Sequence, residues 1–154
     1  DNGRLPISTS VKEIFPNFPD ARVKLSHLLN HSSGLPAWLP LHAQFHEQNA
    51  RGSFHPVDSS KKARDLYEKQ IFESWRAENF EKECVYSDLD FILLGWILEH
   101  VFHSPIDAIF QEWIVIPHRL FSLQFLPISP DVAPTENCPW RGHILRGEVH
   151  DDNC

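Results

Sequence analysis

Apolar positions along the chain alternate between short clusters broken by proline and two long stripes. Pro6, Pro16 and Pro19 break residues 1–22 into loops. Inside them, Ser10-Val11-Lys12-Glu13 sets a hydroxyl and a carboxylate three residues apart, which predicts a capping box and a short helix over 11–15. Leu25, Leu28 and Leu29 repeat at three- and four-residue spacing, which predicts a second short helix over 24–31. Gly34 then offers a left-handed stop, and Pro36 blocks continuation. Residues 37–57 show no clean period and read as a long loop.

The first long stripe is Ala63, Leu66, Tyr67, Ile71 and Trp75, on a helix expected over 58–79 with a charged, solvated outer face. The second is denser. Residues 88–102 are apolar almost all round, which predicts a helix in the centre of the domain. Ser104-Pro105-Ile106-Asp107 supplies an N-cap, a proline at the first helical position and an acid in the first turn, opening a helix to about residue 114. Residues 117–142 hold five of the twelve prolines and read as irregular coil, with a short strand expected over 144–149. The expected class is mainly helical, with long Pro-rich loops and little or no sheet.

Composition narrows the functions open to such a fold. The chain has 154 residues, 42% of them hydrophobic and 12% aromatic, enough for a packed core rather than a disordered segment. Its net charge of −7 makes a nucleic-acid partner unexpected, because phosphate binding relies on Lys and Arg. The longest apolar run covers only 91–98, against roughly 20 residues for a membrane helix, so no membrane span is expected. The polar opening Asp1-Asn2-Gly3-Arg4 does not read as a secretory leader. There is no methionine, and both ends stop without a helix stop or tail, so 1–154 is expected to be a single helical domain cut from a larger protein.

Candidate chemistry is sparse. Cys84, Cys138 and Cys154 are odd in number and lack metal-ligand spacing. His27/His31 and His42/His46 are each four apart, a spacing that can bring two imidazoles onto one helix face. Neither pair carries the HExxH pattern, abundant histidine produces such spacings by chance, and no metal or cofactor is expected. His31-Ser32-Ser33-Gly34 lacks the G-x-S-x-G elbow of a serine nucleophile. Tyr86-Ser87-Asp88 stands just before the apolar helix. Its plain structural reading has Ser87 as N-cap, Asp90 as capping-box partner and Tyr86 packed onto Phe91. A functional reading needs Tyr86 at the mouth of a cleft, beside a cation that stabilises phenolate.

Three blocks, in order, resemble the serine β-lactamase and penicillin-binding-protein superfamily, and within it the class C-like β-lactamases and esterases. Lys24-Leu25-Ser26-His27-Leu28-Leu29-Asn30-His31-Ser32-Ser33-Gly34-Leu35-Pro36 resembles the family's HLLTHTSGLP block. Val85-Tyr86-Ser87-Asp88 through Gly95 resembles its Tyr-x-Asn block in the Tyr-Ser-Asp form. Ala133-Pro134-Thr135-Glu136, Trp140-Arg141-Gly142 and 146–153 resemble the APTE, WRG and RGEVHDENA stretch of one subgroup.

The resemblance implies the helical region of an α+β β-lactamase/transpeptidase-like fold. It also implies acyl-serine chemistry on a small ester, amide or lactam, with lysine and tyrosine sharing proton transfer. By position Tyr86 is the general base, and Asp88, at the usual Asn position, hydrogen-bonds the lysine or the substrate. Ser87 is a linker at the substrate cleft whose hydroxyl caps the helix, and His150 and Asp151 lie near that cleft. The family's Ser-x-x-Lys pair lies upstream of the first block, and the serine here with a lysine three residues on, Ser59, stands outside that context. The Lys/His-Thr-Gly strand is also missing. Two readings follow: the central part of a serine hydrolase that itself lacks the nucleophile, or a non-catalytic binding or scaffolding module from an inactive homologue. In either, an exposed helical face is expected to favour homo-oligomers.

Overall fold

The computed structural model describes residues 5–41, 61–125, 132–139 and 141–148. The chain forms two compact units, Asp1–His103 and Ser104–Cys154.

In the first unit two short helices are held side by side by backbone pairing. Ser10 bridges Lys24, and the Val11 and Leu25 amides donate to Val23 and Thr9 carbonyls at 2.9 and 3.0 Å. Helix α1 is Val11–Ile14, and its capping box forms as the spacing predicts. Ser10 Oγ accepts from the Lys12 amide at 3.2 Å while Glu13 Oε1 accepts from the Ser10 amide at 2.9 Å. Helix α2, Leu25–Leu29, stops earlier than 31 and by a different device. His31 itself takes the left-handed conformation, φ 59°, which histidine tolerates better than most side chains. Gly34 (φ 85°) is needed for closeness instead. A Cβ there would lie 2.9 Å from the Arg76 carbonyl oxygen and 3.0 Å from the Phe80 amide nitrogen.

Helix α3, Lys61–Ser74, buries Ala63, Tyr67 and Ile71 of the expected stripe, together with Phe72. It ends at Ser74 rather than 79: the Trp75 amide closes a tighter turn onto the Phe72 carbonyl at 3.3 Å, and the next amide is taken by another segment. Trp75 Nε1 donates to the Ser33 carbonyl at 2.7 Å and the Arg76 amide to the Gly34 carbonyl at 3.4 Å. The Arg76 guanidinium donates to the Glu73 and Trp75 carbonyls at 2.7 and 2.8 Å, satisfying acceptors that a helix end leaves open. Phe18 packs edge-on against Phe72 with ring centroids 5.1 Å apart, tying the α1–α2 pair to α3.

Helix α4, Asp88–Phe102, is as long as its pattern predicts, but its surroundings differ. Its buried residues are Leu89, Asp90, Leu93 and Ile97, a single stripe, whereas Phe91 is 53% and Leu98 37% exposed. The all-round apolar sequence predicts burial on every side. Within this unit the 89/93/97 face lies fully in the core shared with Val11, Leu28, Leu35 and Ile71, and Ile92, Leu94, Trp96 and Val101 pack against it only partly buried. His103, left-handed at φ 50°, ends the helix.

In the second unit, helix α5 is Ile106–Phe110, with Pro105 rather than Ser104 at the cap and no side-chain cap bond. It does not end near 114. A π-helical turn, Gln111–Val115, carries it into α6, Ile116–His118. Pro117 has no amide proton to give, and the wider register ahead of it lets the helix pass. The coil expected over 117–142 contains strand β1, Pro134–Cys138, paired antiparallel with β2, His143–Arg146. Glu136 faces Leu145 and Cys138 faces His143, and Gly142 (φ 74°) closes the turn. The strand expected over 144–149 thus lies at 143–146. Residues 42–60, with the His42/His46 pair and most of the 37–57 loop, lie outside the described residues.

Candidate active site

The block from Asn30 to Ala37 presents backbone carbonyls one after another to the segment that carries Tyr86. Asn30 O accepts from Cys84 Sγ at 2.6 Å, His31 O from the Val85 amide at 3.0 Å, and Ser32 O from the Glu81 amide at 3.1 Å. Ser33 O and Gly34 O take the Trp75 and Arg76 donors described above. Pro36 O accepts from Ser87 Oγ at 2.7 Å, and Ala37 O from the Asp88 amide at 2.9 Å. Residues on both sides of Tyr86 are therefore bonded to one continuous strip of chain. This arrangement follows from local sequence: no regular helix or strand uses these carbonyls, so they are free for tertiary pairing.

Tyr86 is left at the surface, 72% exposed. Its ring lies against His31 at a centroid distance of 4.9 Å, and His31 in turn lies 5.3 Å from the Phe91 ring. Asp88 is the first residue of α4 and is partly buried. Ser87 is fully buried, and here the capping expectation is corrected. Its backbone takes the N-cap position, but its hydroxyl makes no cap bond and goes to Pro36 instead. Asp90 is not a capping-box partner either, because its carboxylate turns inward. His150 and Asp151 lie outside the described residues, as does Ser59; Lys62 lies in α3.

Behind Tyr86 sits a buried acid–imidazole pair. Asp90 Oδ2 is 3.0 Å from His31 Nδ1, and the Ser87 amide is 3.2 Å from the same nitrogen. Asp90 is fully buried, and its Oδ1 has no hydrogen-bond partner among the described residues. Burial pushes the Asp90 carboxyl up to about 6, while the Ser33 hydroxyl and His31 pull it back down. Sequence spacing does not reveal this pair, although a signal exists. Asp90 falls on the stripe that buries Leu89, Leu93 and Ile97, and a carboxylate on a buried stripe requires a partner.

His27 and His31 do not share a helix face, since α2 ends between them. His27 Nδ1 accepts the Lys24 amide at 2.9 Å, and its Nε2 lies 3.1 Å from Glu81 Oε1. Among the described residues no group of three or more His, Cys, Asp or Glu side chains is arranged to hold a metal ion, and no helix is long and apolar enough to cross a membrane.

The Beta-lactamase family model matches residues 1–151, and the chain belongs to that family. It is 25% identical to a putative D-alanyl-D-alanine carboxypeptidase of Escherichia coli (strain K12) over 98% of its own length and 35% of that protein's. A protein of the same description from Salmonella gallinarum is 23% identical, with the same coverage. The chain thus spans about a third of the length of the curated relatives it matches. Among solved structures, the octameric penicillin-binding protein homologue from Pyrococcus abyssi superposes with a TM-score of 0.67 at 21% identity, covering 94% of this chain and 33% of that one. A D-stereospecific amidohydrolase from Streptomyces sp. gives 0.58 at 20% identity, over 84% and 42%. These structures share the fold. Among the described residues the predominantly helical architecture with one small antiparallel sheet fits part of a β-lactamase-like fold.

Proposed function

We propose that these residues form the central helical part of a serine hydrolase acting through an acyl-serine, with Tyr86 as its general base and the nucleophile supplied from outside this chain. The observation that carries the reading is the contrast around Tyr86: a phenol open to solvent on a backbone bonded on both sides to 30–37. Such fixity is what a proton-transfer group needs, since its oxygen must lie within hydrogen-bond reach of the proton it takes. In the proposed reaction a serine oxygen attacks the acyl carbonyl and its proton passes to the Tyr86 oxygen, which acts as a phenolate beside the lysine ammonium that comes with the nucleophile. The leaving group departs with that proton, and water then releases the acid from the acyl-serine. Asp88, beside Tyr86, orients the lysine or the substrate. Ser87 serves the cleft from beneath, holding the Tyr86 backbone through Pro36. His150 and Asp151 complete the substrate side. The carboxypeptidase description of the relatives supports an amide-like acyl substrate; esters and lactams are the other candidates.

The 154-residue chain by itself is expected not to turn over nitrocefin or a nitrophenyl ester. Turnover that Tyr86→Phe abolishes would refute this. In a protein that carries Ser-x-x-Lys ahead of this region, Tyr86→Phe is expected to lower kcat by about 10²–10⁴-fold with little change in KM. An unchanged kcat there removes Tyr86 from the mechanism.

A scaffolding module from an inactive homologue is the second reading. Absence of Ser-x-x-Lys upstream in the parent gene decides for it. Self-association through the exposed Phe91 and Leu98 of α4 belongs to both readings, and the octameric relative supports it. Sedimentation of Phe91→Ser/Leu98→Ser against wild type tests it, with a monomeric wild type counting against it.

A further inference from the structure

Two groups claim the same nitrogen of His31. Nδ1 lies 3.0 Å from Asp90 Oδ2 and 3.2 Å from the Ser87 amide nitrogen. An imidazole nitrogen has one in-plane site and either donates a proton or accepts one. With Nδ1 bare, the Ser87 amide donates to it, and Asp90 bonds there only by holding a proton on Oδ2. With Nδ1 protonated, it donates to the Asp90 carboxylate and the Ser87 amide loses its acceptor. Transfer of the proton from Oδ2 to Nδ1 gives an imidazolium–carboxylate pair. The change trades one hydrogen bond for another, and the bond at stake is a backbone anchor adjacent to Tyr86.

Burial keeps both forms of Asp90 within reach near neutral pH, since its carboxyl is pushed up to about 6. On the packed segments 27–37 and 81–88 the other titratable groups are His27, Glu81, Lys82, Glu83, Cys84, Tyr86 and Asp88. His27 is engaged with Glu81 and Cys84 with Asn30, and none of the seven hydrogen-bonds to His31 or Asp90.

We propose that His31, held by Asp90, is the positioning residue for Tyr86: its ring seats the phenol, and the proton shared with Asp90 decides whether the Ser87 amide beside Tyr86 is anchored. This rests on the reading of Tyr86 as the base, and its test does not use turnover.

NMR of 15N-labelled protein, followed from about pH 4.5 to 8, observes the couple through the histidine ring nitrogens. The Ser87 amide and Tyr86 ring resonances are expected to shift in step with the His31 nitrogens. Asp90→Asn should move that shared transition along the pH axis, because the carboxyl that shares the proton is gone while the imidazole can still bind one. His31→Phe keeps an aromatic seat but no Nδ1, so the Ser87 amide should exchange with solvent about tenfold faster while the Tyr86 ring signal stays near its wild-type position. Flat Ser87 and Tyr86 signals across that pH range overturn the proposal, as does a shared transition left unchanged in Asp90→Asn. If His31→Phe fails to fold, Asp90→Asn carries the test. Coupling seen by NMR, with turnover in a protein that carries Ser-x-x-Lys ahead of this region unaffected by Tyr86→Phe, rejects the base assignment alone; Tyr86-dependent turnover there without coupling rejects the positioning couple alone.

Discussion

Two histidine–carboxylate pairs, one in each unit, are nearly equal in length and opposite in behaviour. His31 and Asp90 meet at 3.0 Å in the interior of the first unit; His143 and Glu148 meet at 2.8 Å on the surface of the second. In the surface pair each partner favours the other's charge. The His143 hydrogen bond holds the Glu148 carboxyl below its ordinary range, and Glu148 raises the His143 imidazole. In the buried pair, loss of water outweighs the partner, and Asp90 moves up to about 6. Contact geometry alone therefore predicts neither sign; the solvent around the carboxylate decides. A surface pair is thermodynamically slight, whereas a buried one makes each partner depend on the other.

The sharpest way to break the buried pair is His31→Ala. It leaves Asp90 buried without its imidazole and strips the acceptor from the Ser87 amide, and urea unfolding at pH 7 is expected to show a loss of about 4 kcal/mol. Next in size is the pH dependence of wild-type stability. The Asp90 carboxyl is raised in the folded state from 3.8 to about 6, so the native state holds the proton more tightly. Its contribution is fully present below the unfolded value and is lost as pH rises through the folded one. At most about 3 kcal/mol is involved, and Asp90→Asn should flatten the slope between those two values.

The smallest effect belongs to the surface pair, and its pH dependence is of a different form. Glu148's share is present above its unfolded value of 4.5 and lost as pH falls through its lowered value. His143's share is full below 6.5 and lost as pH rises through its raised one. Glu148→Gln is expected to leave the unfolding midpoint unmoved in 1 M salt, about where the screening length falls to 3 Å. A midpoint shift there would mean that exposure does not separate the two pairs.

What could be read in the sequence follows from how local each signal is. The capping box at Ser10–Glu13 and the length of α4 depend on neighbours three or four residues apart, and both appear as expected. The family was legible from three blocks, because each preserves residue identities in order. Strand β1 was not: Pro-Thr-Glu-Asn-Cys has no alternation of apolar and polar positions, and its pairing is fixed by β2 and the Gly142 turn. The ends of α2 and α3 were missed for a related reason. Helix α2 gives way to a left-handed His31, and beyond α3 the Arg76 amide goes to the Gly34 carbonyl, far away in sequence. In the candidate site Tyr86, Ser87 and Asp88 were visible as a block, but the buried pair behind them was not. Fifty-nine residues separate His31 from Asp90.

The strip of carbonyls from Asn30 to Ala37 constrains the chain in its count of residues more than in their kinds. Its acceptors are main-chain atoms, so exchanging the side chain of Asn30 or Ser32 removes none of the rungs described. One inserted or deleted residue would throw every later rung out of phase with 75–88, and Tyr86 with it. Variation in this stretch should therefore run through substitutions, and changes of loop length should be found elsewhere in the molecule.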